Sequence, residues 1–101
     1  RGLGDVYKRQ LLGIFRIVEQ SVLNSLVHGP AHRVQISVTT NTEGVTDIIV
    51  SDDGPGVTVE AITAGVGTAI IDSWVGILNG SKEIDSAPGH GYRLHVTFIA
   101  D

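Results

Sequence analysis

The sequence predicts an α+β fold, a two-layer sandwich in which helices lie on one face of a mixed or antiparallel sheet. Three observations carry that expectation. Residues 33–40, 45–51 and 92–99 are short runs with alternating or continuous apolar side chains bounded by turn residues, as strands are. Residues 14–28 place apolar side chains at three- and four-residue steps, and 68–79 form a second helical run. The elements follow one another as helix, two strands, helix, two strands, without internal repeats or low-complexity segments.

The first helix, IFRIVEQSVLNSLVH, presents Ile14, Phe15, Val18, Val22, Leu23, Leu26 and Val27 as its apolar set, and Gly29-Pro30 ends it. RVQISVTT (33–40) alternates strictly, with Val34, Ile36 and Val38 on one face, and reads as a half-buried strand. The turn NTEG joins it to VTDIIVS (45–51), its expected hairpin partner. The stretch DDGPG follows, then VTVEAITA, to which no element is assigned. TAIIDSWVGILN (68–79) comes after GVG and is stopped by Gly80. KEIDS (82–86) is read as a strand, APGHG as a turn, and YRLHVTFI (92–99) as a last alternating strand. Trp74 and Phe98 are expected in the core.

The first ten residues, RGLGDVYKRQ, hold three of the seven basic residues and show no clear amphipathic period. They resemble translated sequencing adapter and are set apart as a non-native or disordered segment, a frayed native terminus being the alternative. Residues 11–101 are then the domain, and the missing initiator Met reads as a piece of a longer chain.

Composition narrows the function. The length of 101 residues supports one core, and 42% hydrophobic with 18% charged residues is the composition of a globular chain. A net charge of −4 argues against a sequence-independent nucleic-acid surface. There is no cysteine, hence no disulfide or thiol chemistry, which fits a cytoplasmic protein. No apolar run approaches the roughly 20 residues of a membrane span, so no membrane contact is expected of this domain.

The glycines and acids exclude several sites. An EF-hand loop built on Gly54 would need an acid at Ile49, and one built on Gly56 would end on Ile62. GVGTAI lacks the third glycine of a dinucleotide fingerprint, and no GxxxxGK[ST] occurs. His28 and His32 are separated by Gly29-Pro30, which breaks the helix that would align them on zinc. What is left is a polar stripe, Arg16, Gln20, Asn24 and His28, each about 40° around the helix from the last. A mid-helix Asn is a poor helix former and a weak choice for a merely solvated face.

Taken in order, Asn24 on a helix, Asp52-Asp53-Gly54-Pro55-Gly56 after a strand, Gly65-Val66-Gly67 at a helix start and Gly89-His90-Gly91 before the last strand form one constellation. It resembles the ATP-binding domain shared by sensor histidine kinases, gyrase-type topoisomerases, a class of heat-shock chaperones and MutL mismatch-repair proteins, the Bergerat fold. RIVEQSVLNSLVHG and EIDSAPGHGYRLHVTF are most similar to the histidine-kinase branch. The resemblance covers about residues 14–100 and implies a histidine-kinase-like ATPase fold with ATP and Mg²⁺ as cofactors.

It also implies roles. Asp52 would accept a hydrogen bond from the exocyclic amine of adenine, and Gly54 and Gly56 would let the flat base lie against backbone. Gly65, Gly67 and Thr68 would bring a helix N-terminus to the phosphates. Asn24 would ligate Mg²⁺, one amide oxygen sufficing for an ion that keeps its waters. His28 would lie near the phosphates, and Gly91 would belong to the ATP-binding set. Two departures from the family pattern stand out. Gln20 occupies the position of a common Glu and can hydrogen-bond but not take a proton, which weakens base-assisted hydrolysis more than phosphoryl transfer. Tyr92 replaces a common Thr. The segment 57–64, where the family carries a lid, is short.

The resemblance implies an ATP-dependent protein histidine kinase catalytic domain for two-component signalling. None of the four histidines is followed by an acid typical of a phosphoacceptor, so that histidine and the dimerisation helices are expected on a separate domain, with a response regulator downstream. The parent protein could be membrane-anchored. The alternatives are an anti-sigma-factor-type serine kinase, marked by a start codon shortly before residue 11, and a nucleotide-binding module without phosphotransfer, motivated by Gln20.

Overall fold

A computed structural model describes residues 2–27, 33–54, 66–86 and 91–100. Helix α1 runs over Gly2–Val27, strand β1 over Val34–Thr40, β2 over Val45–Asp52, helix α2 over Val66–Ile77, β3 over Ser81–Ser86 and β4 over Tyr92–Ile99. The four strands form one sheet in the order β1-β2-β4-β3, and every pair is antiparallel. The chain's last strand therefore lies inside the sheet, between β2 and β3.

Strand parity decides what each face carries. Ile48, Val50, Leu94, Val96 and Phe98 share one face and are buried with Ile17 of α1 and with Ile71, Val75 and Leu78 at α2. Both helices thus cover the same side of the sheet, giving the two-layer sandwich. Trp74 packs half-buried against this core, and Phe98 lies within it. The opposite face carries polar side chains. There Asp47 Oδ1 lies 2.8 Å from His95 Nε2 and accepts from Thr97 Oγ1 at 3.0 Å. The His95 hydrogen bond, then that of Thr97, holds the Asp47 carboxyl below its ordinary range.

Three expectations change. First, β1 is less buried than its alternation suggests. Ile36 and Val38 face the helix side, opposite Val50 and Ile48, yet are 50% and 45% exposed. β1 is an edge strand, and α1 packs chiefly on α2 and β2. Second, α1 turns a different stripe inward. Gly13, Ile17, Ser21 and Ser25 are buried, while Phe15, Leu23 and Leu26 remain exposed. Small residues let the helix approach its neighbours, and a Cβ at Gly13 would stand 3.0 Å from the Leu78 side chain. The serines lose no hydrogen bonding by burial, since Ser21 Oγ donates to the Ile17 carbonyl at 2.7 Å and Ser25 Oγ lies 3.2 Å from that of Ser21. Residues 2–10, set apart above, are helical and continue α1 toward its N-terminus.

Third, α2 does not end on Gly80. Asn79 takes the left-handed conformation, φ 58°. Its N–H bonds the Gly76 carbonyl at 3.1 Å, and the Gly80 N–H bonds that of Val75 at 2.9 Å. This pair of bonds is a Schellman cap with Asn79 at the residue after the cap. Gly80 answers a different demand, because a Cβ there would come within 2.6 Å of the Thr97 carbonyl oxygen on β4.

Candidate functional site

Four element ends meet at one end of the molecule. α1 and α2 run antiparallel, since Ile77, Leu78 and Asn79 at the end of α2 line a cavity with Val6, Arg9 and Gln10, Leu78 packs on Gly13, and the earlier Ile71 shares the core with Ile17. From Gly13 to Asn24 the helix climbs about 16 Å, and from Leu78 back to Thr68 about 15 Å. Asn24 and Thr68 therefore stand at similar heights. β2 finishes at Asp52 and β4 starts at Tyr92, and these two residues are direct cross-strand partners.

The two adjacent acids separate cleanly. Asp52 has the parity of Ile48 and Val50, so its side chain enters the helix layer. There Oδ2 accepts from Ser25 Oγ of α1 at 2.5 Å, and Oδ1 accepts from the Gly54 N–H at 2.9 Å. Asp53 points away, is exposed, and accepts from the Arg33 N–H at 2.9 Å, closing the end of the β1–β2 pair. Of the two, only Asp52 belongs to the convergence.

Asn24 is half-buried on α1, next in sequence to the serine that holds Asp52. Tyr92 completes the group. Its ring is 8% exposed, and its hydroxyl lies near the Asn24 side chain but outside hydrogen-bond geometry, with no partner among the described residues. Burial, then the negative charge of Asp52, pushes the Tyr92 phenol up to about 12.

The remaining expected residues divide. Gln20 is half-buried one turn before Asn24. Arg16, the start of the polar stripe, is exposed and pairs with Glu19 at 2.9 Å, so neither side chain turns toward Asp52. Thr68 is buried in the first turns of α2, and Gly67 lies within the helix, which begins one residue earlier at Val66. That first turn carries no acid to offset its positive dipole end. Gly91 adopts φ 76°, and a Cβ there would collide with the Asp52 carbonyl oxygen, so it sets the close approach of β4 to the end of β2. His28, Gly56 and Gly65 lie outside the described residues. Among the described residues no cluster of three or more acids, histidines or cysteines could hold a metal unaided. No helix among them is long and apolar enough to cross a membrane.

Ser25 was not visible as a site residue from sequence. A serine inside a helix carries no positional signal, and only the fold reveals that its hydroxyl meets Asp52.

The convergence combines an acceptor carboxylate, an amide, a buried phenol and, at a similar height, a helix N-terminus whose own first turn carries no acid. It can bind a group with polar hydrogens at one end and anionic oxygens at the other.

Comparison with known proteins agrees with this architecture. Residues 10–101 match the family described as histidine kinase-, DNA gyrase B-, and HSP90-like ATPase. An uncharacterized sensor-like histidine kinase of Chloroflexus aurantiacus is 25% identical over 89 residues, which is 82% of this chain but 15% of that protein. The histidine kinase domain of the Erythrobacter litoralis EL346 blue-light activated histidine kinase superposes with a TM-score of 0.75 at 20% identity, over 87% of this chain and 43% of that one. The ATP binding domain of PrrB from Mycobacterium tuberculosis gives 0.74 at 23% identity, over 89% and 68%. At these identities the structural likeness concerns the fold.

Proposed function

Because the chain belongs to the family of histidine kinase-, DNA gyrase B-, and HSP90-like ATPases, we propose that it is the ATP-binding catalytic domain of a sensor histidine kinase. It transfers the γ-phosphoryl group to a histidine on a separate domain, from which a response regulator takes it. What supports the reading is the family match together with Asp52 held against α1 by Ser25, next in sequence to Asn24, and an N-terminal end of α2 that helix rise puts at a similar height.

The residues fit an adenine nucleotide. The buried Tyr92 hydroxyl has no partner among the described residues, and Asp52 keeps lone pairs beyond the two it has committed. Asp52 accepts from the exocyclic amine, where guanine offers a carbonyl instead. Gly54, with Gly56, leaves room for the ring. Gly65, Gly67 and Thr68 turn the backbone N–H groups of α2 toward the phosphates, with His28 close by. The Asn24 amide oxygen is a hard ligand suited to Mg²⁺, which when bound neutralises phosphate charge and orients the γ-phosphoryl group. Gln20 can hold a water or the incoming group by hydrogen bonds but cannot accept its proton. Positioning and charge neutralisation, the main demands of phosphoryl transfer, do not need a proton acceptor at that position.

The chain spans 15% of the length of the sensor-like relative, so acceptor, dimerisation and sensing belong to segments beyond it. A cytoplasmic setting follows from the need for ATP. The test is transfer from γ-labelled ATP to a histidine-bearing helical domain supplied in trans. Acid-labile label on the acceptor, lost with Asn24→Ala, supports the reading. Acid-stable label points to the anti-sigma-factor-type serine kinase, and binding without any transfer points to a nucleotide-binding module.

A further inference from the structure

Resting on the adenine reading above, we propose that Ser25 is a positioning residue for base recognition. Its hydroxyl fixes the Asp52 carboxylate so that the remaining lone pairs face the exocyclic amine of a 6-aminopurine nucleotide.

The Asp χ2 torsion is broad and roughly two-fold, so a carboxylate at a strand end has no preferred plane of its own. Here both oxygens are engaged. The Gly54 N–H holds Oδ1 at 2.9 Å, but that donor lies two residues along the same chain and moves with it. Among the described contacts of Asp52, only the Ser25 hydroxyl ties the carboxylate to the helix layer. Ser25 has one proton and two acceptors within reach, the Ser21 carbonyl at 3.2 Å and Asp52 Oδ2 at 2.5 Å. The shorter distance lies in the range of charge-assisted O–H···O⁻ bonds, so the proton goes to the carboxylate. Ser25 is 4% exposed, and water competes poorly for it. It also follows Asn24 directly, so one helix turn carries both the proposed magnesium ligand and the group that orients the base reader.

Ser21 supplies an internal control. It lies one turn earlier on the same buried stripe, and its hydroxyl donates to the Ile17 carbonyl of its own helix. Both Ser21→Ala and Ser25→Ala remove one buried hydroxyl, and alanine is the better helix former. Only the second touches Asp52.

The experiment is isothermal titration of the full chain and its variants with Mg-ATP and with the Mg-triphosphate of purine riboside, which lacks the 6-amino group. Ser25→Ala should weaken Mg-ATP binding about tenfold and the amine-free nucleotide less than about twofold, on the scale of one charged hydrogen bond. Ser21→Ala should leave both affinities at the wild-type value. Unchanged Mg-ATP affinity in Ser25→Ala, or equal loss for both nucleotides, overturns the positioning role. Asp52→Asn separates this from the adenine reading. If it loses Mg-ATP affinity while Ser25→Ala does not, only the positioning role fails. If it too binds like wild type, base recognition by Asp52 fails and takes this inference with it.

Discussion

Tyr92 shows how one residue couples stability to the site. Its phenol rises from 10.0 to about 12 because the folded protein buries it, and next because Asp52 lies nearby. A folded-state value above the unfolded one means that ionising the phenol costs the folded state stability, so stability is at its full value below pH 10.0 and declines as the pH rises toward about 12. Tyr92→Phe should remove this alkaline decline in urea midpoint. It should also raise stability near neutral pH by about 1 kcal/mol, because a buried hydroxyl with no partner among the described residues costs free energy. A midpoint that falls on substitution would show that the hydroxyl has a partner in the folded state. At this scale the motif named Asp52 rather than Asp53 as the expected base reader, without telling which of the two turns toward the helix layer. That orientation was not legible, since it rests on strand parity and on the Arg33 N–H that captures Asp53.

At the scale of elements, the strands were the most readable part. Alternation located β1 and β4, and an apolar run after a turn located β2, each to within about a residue at each end, because side-chain period and burial coincide in a sheet with one covered face. It could not reveal that β1 is an edge, and so Ile36 and Val38 were expected to be covered. The inward face of α1 was misread for a different reason. Its contacts demand close approach, which selects Gly13, Ser21 and Ser25 over the larger Phe15, Leu23 and Leu26. The end of α2 makes a separate forecast. Asn79 holds a left-handed φ that alanine tolerates poorly, so Asn79→Ala should cost about 1 kcal/mol and Asn79→Gly should cost nothing or stabilise slightly. Gly80→Ala should cost more, because its methyl would press on the Thr97 carbonyl. Thermal melts of the three variants give the order. Asn79→Gly melting well below the wild type would contradict the cap assignment, and Asn79→Ala melting lower than Gly80→Ala would contradict the close approach of Gly80 to Thr97.

Across the whole molecule, one arrangement matters. Antiparallel helices on an antiparallel sheet bring the C-terminal end of α1, the N-terminal end of α2, the end of β2 and the start of β4 to the same place. Residues 24, 52, 68 and 92 are distant in sequence, so no local pattern joins them, and their order along the chain was the only sign of a common site. Nucleotide choice then turns on base recognition by one strand-end carboxylate, and the most direct measurement is a titration of the full chain with Mg-ATP against Mg-GTP. Guanine presents a carbonyl where adenine presents the amine, so Mg-ATP should bind at least about tenfold more tightly, the difference of a single charged hydrogen bond. Equal affinities for the two nucleotides would contradict it.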